Sequence, residues 1–157
     1  MDRVCAFAVS KICSKFAESL IISDCAIRGV KPLKIAVDKI VGADRNMLTP
    51  VHTAFALISL KAMCFDYATQ VLDIPIFSVD PKAFNLTSLD YLSYFYYAGM
   101  IYTGLKRFSK ALECFKLVNA LFVPTISLLP LTELIDYQDM SLISVYICVY
   151  LLVCARR

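Results

Sequence analysis

Histidine and cysteine offer the widest range of chemistry in this sequence, and neither forms a recognisable site. There is one histidine, His52, and the seven cysteines include no C-x-x-C pair. A structural zinc site takes four Cys or His ligands at short spacings, and a nucleophilic site needs a base beside the nucleophile. The sequence therefore predicts no metal, no cofactor, no small-molecule substrate and no enzymatic activity. His52, near the start of a helix, is expected to cap or pack that helix.

The stretch YFYYAGMIYTGLKRFSKALECF, which begins at Tyr94, raises the possibility of a nucleic-acid-binding surface. Aromatic side chains mixed with Arg and Lys on one open surface can stack the bases of a nucleic acid. Here the basic side chains follow the glycine turn, and the net charge of the chain is only +3. We therefore expect core and interface tyrosines, a solvated basic cluster with an acidic-partner contact as the alternative, and no nucleic acid. The candidate interface residues are Tyr91, Tyr94, Tyr97, Lys106, Arg107 and Lys110.

The elements that must position these residues are predicted to be all α-helical. Apolar residues recur at helical spacing from the N-terminus onward, and the chain has only four glycines and no sustained period-two alternation. One helix should begin after Thr49, with Pro50 at its first position. Another should begin after Thr87, with Asp90 completing a capping box, and end near Gly104, where glycine suits a left-handed exit.

The helix that begins after Thr87 and the helix that follows Gly104 match the tetratricopeptide pattern, in which small residues lie where two helices cross and large residues fill the gaps. The expected packing residues are Phe95, Gly99, Tyr102, Ala111 and Phe115. Ala68 and Leu72 form a fainter copy of the Ala111 and Phe115 pair, 43 residues earlier. The sequence thus predicts tetratricopeptide-like helix hairpins in a right-handed solenoid fragment, with an extra apolar C-terminal helix.

Two long segments carry a family resemblance. LTPVHTAFALISLKAMCFDYATQVLD and DYLSYFYYAGMIYTGLKRFSKALECF resemble the N-terminal helical-repeat region of subunit 3 of the COP9 signalosome. The shared features are Leu48-Thr49 with His52 three residues on, the run LKAMCF, and the tyrosine-rich block YYAGMIYTGLKRFSKALE. The resemblance covers about residues 27–118, and the tyrosine-rich block separates this subunit from generic tetratricopeptide proteins.

The resemblance implies a role in protein assembly. The signalosome removes a ubiquitin-like modifier from cullins in ubiquitin-dependent protein degradation, and its zinc chemistry resides in a different subunit. Subunit 3 is a scaffold member, with helical repeats followed by a PCI domain. The resemblance therefore implies a non-catalytic scaffold fragment that binds other signalosome subunits in the cytoplasm and nucleus. The alternative is another PCI-type or tetratricopeptide-like adaptor, of the proteasome lid or a translation initiation complex.

The expected domain organisation is an N-terminal helix at 1–26, the helical-repeat region at 27–123 and a divergent apolar tail at 124–157. The sequence after Val118 departs from the family pattern and no PCI region follows, so we expect a truncated or mis-assembled product of such a gene. The chain is 59% hydrophobic and only 18% charged. This is too few charged residues to cover the surface of a soluble domain. We therefore expect another protein, a membrane or the rest of a larger protein to cover part of the surface.

The tail supplies a third functional class. Residues 140–155 are an uncharged run of 16, closed by two arginines. A helix that spans a bilayer needs roughly 20 apolar residues. We expect an apolar helix packed on the repeats, with a small membrane-anchored protein as the alternative. Most of the cysteines lie in apolar helical patterns, and they are expected to be reduced structural thiols of an intracellular protein.

Overall fold

A computed structural model describes residues 3–42, 46–80 and 86–126. Six helices are described: α1 (Arg3–Ile22), α2 (Ile27–Val41), α3 (Pro50–Lys61), α4 (Phe65–Leu72), α5 (Ser88–Gly104) and α6 (Phe108–Ile126). Short turns join them pairwise into hairpin 1 (α1–α2), hairpin 2 (α3–α4) and hairpin 3 (α5–α6). The prediction of an α-helical fold is confirmed for this part of the chain, which is mostly helical. The predicted C-terminal helix falls in the segment from residue 127 onward, outside the described residues.

The chain divides into two compact units, Met1–Tyr94 and Phe95–Arg157. In the first unit, α1 and α2 both pack against α3, and α3 packs against α4. Helix α1, which the sequence assigned to a separate segment at 1–26, is therefore the first arm of a hairpin. In the second unit, α6 continues to Ile126, past Pro124, where the sequence predicted its end. Proline inside a helix removes the hydrogen bond to the carbonyl four residues earlier, and α6 continues past this position for two residues only.

Two short strands were not predicted. β1 (Met47–Leu48) and β2 (Ser78–Val79) pair in parallel, and they join the segment before α3 to the segment after α4. The carbonyl of Asn46 also accepts hydrogen bonds from the backbone N–H groups of Phe77 and Ser78, at 3.0 and 3.2 Å. This pairing joins residues about thirty positions apart, so a pattern read in a local window does not detect it.

Local sequence sets the start of α3 and of α5 as predicted. Thr49 is the N-cap of α3 and Pro50 occupies its first turn. Ahead of α5, the backbone N–H of Thr87 donates to Asp90 Oδ2 at 2.9 Å, and the N–H of Asp90 donates to Thr87 Oγ1 at 3.1 Å. Both capping boxes satisfy backbone donors that a helix start leaves without partners.

All three hairpins turn through the same backbone motif. The first helix of each ends in a Schellman motif, in which a left-handed residue is followed by an N–H that bonds the carbonyl five residues back. In hairpin 3 the N–H of Arg107 donates to the Tyr102 carbonyl at 2.9 Å. The left-handed residues are Asp24 (φ 52°), Met63 (φ 56°) and Lys106 (φ 58°).

The predicted left-handed exit at Gly104 is wrong. Helical hydrogen bonding continues through Leu105, whose N–H donates to the Ile101 carbonyl at 3.0 Å. The left-handed position therefore moves to Lys106, and Gly104 keeps an ordinary negative φ.

The three left-handed residues give a common register for the hairpins. Seven residues before each is a small buried residue: Ala17, Ala56 and Gly99. Five residues after each is a second small buried residue: Gly29, Ala68 and Ala111. Nine residues after each is a large buried apolar residue: Leu33, Leu72 and Phe115. Hairpin 1 is thus a third copy of the repeat, which the sequence analysis did not identify.

Candidate protein interface

The crossing of α5 and α6 depends on a close contact between Gly99 and Phe115. A Cβ placed on Gly99 would lie 2.7 Å from both Cε1 and Cζ of the Phe115 ring, too close for an undisturbed side chain. Phe115 is fully buried, and the Tyr96 ring meets it edge-on at a centroid distance of 6.3 Å. The glycine therefore lets the two helices approach with this ring between them.

The other sequence-predicted packing residues lie around this contact. Tyr102 and Ala111 are buried, and Phe95 is half-buried. Tyr96, which the sequence analysis did not select, is also buried, and burial raises the pKa of its hydroxyl. Helix α5 is apolar on more than one face, so the sequence alone does not show which side of it faces α6. Tyr96 could therefore not be chosen as a packing residue from the sequence.

The three predicted interface tyrosines occupy different environments. Tyr91 and Tyr97 are half-buried, and burial raises the pKa of Tyr91. Tyr94 is only 3% exposed, and its ring meets the His52 ring edge-on at 6.0 Å. Tyr94 is therefore a core residue of the first unit, in contrast to the interface role predicted for it. It lies on the side of α5 that packs against the start of α3.

The predicted basic cluster is exposed at the start of α6. Lys106 and Arg107 lie in the turn, and Lys110 lies in the first turn of the helix. The Lys110 ammonium is 5.5 Å from the centroid of the Tyr102 ring, a cation–π contact across the hairpin. The cluster thus presents positive charge at one end of hairpin 3, although one of its members also packs on the hairpin itself.

His52 acts as a capping residue, as the sequence predicted. Its Nδ1 accepts the backbone N–H of Thr49 at 3.1 Å and lies 2.9 Å from Thr49 Oγ1. It therefore takes the place of the glutamate in an ordinary capping box. The side chain is 4% exposed, and burial lowers its pKa to about 4, although the negative charge of Asp38 acts in the opposite direction. The ring is neutral at physiological pH.

The outer side of α1 is apolar and uncovered. We call Ile12, Phe16 and Ser19 the α1 outer face; Ile12 is 66% exposed and Phe16 is 40% exposed. The residues at the same register positions in hairpins 2 and 3 are almost completely buried. They are Val51, Phe55 and Ile58 in α3, and Tyr94, Ala98 and Ile101 in α5.

Contacts of hairpin 2 show what covers such a face. Ile58 of α3 is the counterpart of Ser19. It packs on the preceding hairpin, because a Cβ placed on Gly29 of α2 would lie 3.4 Å from Ile58 Cγ2. The side chain of Tyr94, the counterpart of Ile12, likewise packs on His52 of the preceding hairpin. The α1 outer face therefore has the position and the apolar character of a surface that receives another helix hairpin.

Metal ligation and membrane insertion find no support in the described part of the chain. Within residues 3–42, 46–80 and 86–126, no three His, Cys, Asp or Glu side chains are grouped as metal ligands would be. In those same ranges, every helix is too short or too polar to cross a bilayer. The 140–155 segment lies outside them. The cysteines with described side chains are not disulfide-bonded, and burial, with a smaller effect of Glu113, raises the pKa of Cys114 to about 12.

Comparison with known proteins identifies relatives along most of the chain. Residues 3–147 match the family model described as the N-terminal helical repeats of COP9 signalosome complex subunit 3. Subunit 3 of Dictyostelium discoideum is 32% identical over 117 residues, which cover 74% of this chain and 28% of that protein. Subunit 3 of Drosophila melanogaster is 32% identical over 128 residues, which cover 72% of this chain and 28% of that protein. The chain therefore spans about 28% of the length of these relatives.

Proposed function

Because this chain belongs to the family of N-terminal helical repeats of COP9 signalosome subunit 3, we propose that it is a non-catalytic scaffold segment of that complex. In this role it binds neighbouring subunits in the cytoplasm and nucleus and supports the removal of a ubiquitin-like modifier from cullins, while other chains carry the chemistry. The two relatives are both signalosome subunits. They favour this role over that of a proteasome-lid or translation-initiation adaptor.

The α1 outer face is the observation that carries the proposal. Ile12 and Phe16 are exposed at positions that are buried in both later hairpins. Burial of apolar surface contributes roughly 25 cal/mol per Å², so an exposed apolar face in a helical-repeat protein favours association with another helical surface. Beside this face, Lys15 forms an ion pair with Glu18 at 2.7 Å, and the Lys11 ammonium lies 5.2 Å from the centroid of the Phe7 ring. A helical partner would therefore be recognised mainly by an apolar stripe that packs on Ile12 and Phe16.

The basic cluster supports a second contact with a neighbouring subunit, in this case an electrostatic one. Lys106, Arg107 and Lys110 place three positive charges within five residues at an exposed turn. An acidic segment of a neighbouring subunit would be attracted to this end of hairpin 3, and the contribution of such exposed charges would fall as salt increases.

Affinity purification tests the proposed role. We expect the tagged chain, expressed in cells and purified at low ionic strength, to recover several signalosome subunits in amounts far above those in a tag-only control, as quantified by mass spectrometry. Recovery of proteasome-lid or initiation-factor subunits in their place would support the alternative assemblies. Recovery of none of these subunits would overturn the proposal.

A further inference from the structure

The solvent-facing side of α2 carries a line of positive charge. We call Arg28, Lys31, Ile35 and Lys39 the α2 outer stripe; they follow one another at intervals of three or four residues, so they lie along one side of the helix. All four are exposed, and Ile35 is 53% exposed. The stripe lies opposite the buried side of α2, which consists of Gly29, Val30, Leu33, Val37, Ile40 and Val41.

The three cations of the stripe have no carboxylate partner among the described residues. Asp38, the one carboxylate of α2, forms an ion pair with Lys34 at 2.7 Å. Asp24 lies in the turn before α2 and forms no ion pair with Arg28. Like charges three residues apart on a helix repel each other, as Arg28 and Lys31 do here. An anionic partner would relieve this repulsion.

The positive charge is a property of α2 and not of the repeat. The fourth and the seventh residue after each left-handed residue show the contrast. These positions hold Arg28 and Lys31 in α2, Tyr67 and Gln70 in α4, and Lys110 and Glu113 in α6. A solvated helix face usually mixes charges of both signs, as α6 does. The α2 outer stripe carries three positive charges and no negative one, so it is complementary to an acidic surface.

Two exposed isoleucines give the same surface an apolar part. Ile35 lies between Lys31 and Lys39 in the stripe, and Ile27, which is 68% exposed, lies one turn before Lys31. From Ile27 to Lys39 the helix rises by roughly 18 Å, a little over three helical turns. An apolar stripe on a partner helix of this length would cover the isoleucines. Acidic side chains beside that apolar stripe would then lie close to the cations.

A protein helix fits this surface better than a membrane or a nucleic acid does. A helix that binds in a membrane interface inserts a wide apolar face, whereas the wide apolar face of α2 is buried in the first unit. Single-stranded nucleic acids stack their bases on aromatic side chains, and the stripe has none. The positive charge attracts all three partners, so the apolar part of the surface distinguishes between them.

We propose that the α2 outer stripe binds an acidic amphipathic helix of a partner protein. Ile35 makes the apolar contact, and the three cations pair with carboxylates on either side of it. This surface is separate from the α1 outer face. The proposal does not depend on whether the partner is a signalosome subunit, because it follows from the charge and the apolar pattern of α2 itself.

The test is a fluorescence-anisotropy titration of the full chain with a labelled helical peptide of about 14 residues. The peptide carries leucines along one side and glutamates on both flanks, and a control peptide has glutamine in place of every glutamate. We expect saturable binding of the glutamate peptide at low ionic strength, weakened by added salt, and at least about fivefold weaker binding of the glutamine peptide. Equal binding of the two peptides, or no saturable binding, would overturn the proposal.

A matched pair of lysine substitutions tests the location. Lys31→Glu and Lys116→Glu change the net charge equally, but Lys116 is an exposed residue of α6 and lies outside the stripe. We expect Lys31→Glu to weaken binding of the glutamate peptide at least about threefold and Lys116→Glu to leave it unchanged. Urea unfolding of both variants checks that the fold is retained. Equal weakening in two folded variants would show attraction to the overall charge alone and contradict the proposal.

A second pair tests the apolar contact. Ile35 and Leu117 lie at the same register position in α2 and α6, and they are 53% and 41% exposed. We expect Ile35→Gln to weaken binding of the glutamate peptide at least about threefold, because apolar contact area is lost, and Leu117→Gln to leave it unchanged. If folded Ile35→Gln binds the peptide as the wild type does, the assigned apolar contact is wrong.

The same variants distinguish the other anionic partners. Phosphatidylserine vesicles and a single-stranded RNA are titrated in place of the peptide. We expect both to bind more weakly than the glutamate peptide, and Ile35→Gln to have no effect on either. Tighter binding of vesicles or RNA that is lost in Lys31→Glu would assign the stripe to that partner and overturn the proposal.

Discussion

At the scale of single residues, small side chains and caps determine how the helices meet. Gly99 admits the Phe115 ring, and His52 closes the start of α3 while it packs on Tyr94. Both roles depend on contacts with only a few atoms, so conservative substitutions should reveal them.

Gly99→Ala should destabilise the chain although alanine is the better helix former. The added Cβ would lie 2.7 Å from two atoms of the Phe115 ring, which is fully buried and cannot readily move. Overpacking costs about 1–3 kcal/mol, and alanine recovers up to about 1 kcal/mol of helix propensity. We expect a net loss of about 1–2 kcal/mol in the free energy of unfolding by urea.

Two variants serve as controls for this result. Gly104→Ala, at an exposed position of the same helix, should be neutral or mildly stabilising. Adding Phe115→Leu to Gly99→Ala should cost less than the sum of the two single changes, because a smaller side chain makes room for the methyl group. Full additivity of the two changes would contradict the proposed contact.

His52 should make stability depend on pH below neutrality. Burial holds its folded-state pKa near 4, whereas the unfolded-state pKa is near the ordinary value of 6.5, so the unfolded chain binds the proton more readily between these values. The stabilisation is complete above about pH 6.5 and is lost as the pH falls toward 4, on the order of 3 kcal/mol in total.

Urea unfolding between pH 4 and 7.5 measures this effect. We expect His52→Asn to keep the Thr49 cap and to show a shallower loss of stability with falling pH than the wild type. The difference between the two curves should grow from pH 6.5 down to pH 4. Parallel curves across this range would show that His52 titrates alike in the folded and unfolded chains.

At the scale of elements, the three hairpins share one turn, and none of the three has glycine at its left-handed position. Asp24, Met63 and Lys106 adopt a conformation that costs a side-chain-bearing residue about 1 kcal/mol or more. The turn persists because its backbone hydrogen bonds satisfy the last carbonyls of the preceding helix.

Met63→Gly should therefore stabilise hairpin 2. Met63 is 72% exposed, so little packing is lost, and glycine adopts φ 56° without strain. Part of the gain is offset by the greater freedom of glycine in the unfolded chain, which leaves about 0.5–1 kcal/mol. Gln70→Gly, on an exposed part of α4, should cost about 1 kcal/mol in the same unfolding measurement. Destabilisation by both changes would contradict the assigned turn.

The sequence predicted the local features and missed those that depend on packing. Thr49 with His52, and Thr87 with Asp90, were predictable because each cap lies within four residues of its partner. The burial of Tyr94 could not be predicted, because α5 is apolar on more than one face. Which of these faces is covered depends on the helices that pack around α5.

Hairpin 1 escaped prediction because it carries glycine, Gly29, at the position where both later copies carry alanine. Its other two register residues, Ala17 and Leu33, match those of hairpin 2 but differ from those of hairpin 3. The spacing was nevertheless present in the sequence. A search by spacing between small residues, rather than by residue identity, would have found Ala17, Gly29 and Leu33 as a third copy.

At the scale of the whole molecule, three copies of one hairpin give the chain repeated helical surfaces, and the surface of the first copy is uncovered. The chain spans about 28% of the relatives that it matches. In a helical-repeat protein each hairpin buries its apolar face against a neighbour, so an uncovered face is a site for assembly. We propose that the chain acts by binding other helical subunits through such faces.

The most direct test compares Ile12→Glu with Ile22→Glu in quantitative affinity purification. Both residues are exposed on α1, at 66% and 86%, but Ile12 lies on the α1 outer face and Ile22 lies at a position that is also exposed in the other hairpins. Both variants should unfold at the urea concentration of the wild type. We predict that Ile12→Glu lowers the recovery of signalosome subunits at least about tenfold and that Ile22→Glu leaves it unchanged. Equal recovery with both folded variants would contradict the claim.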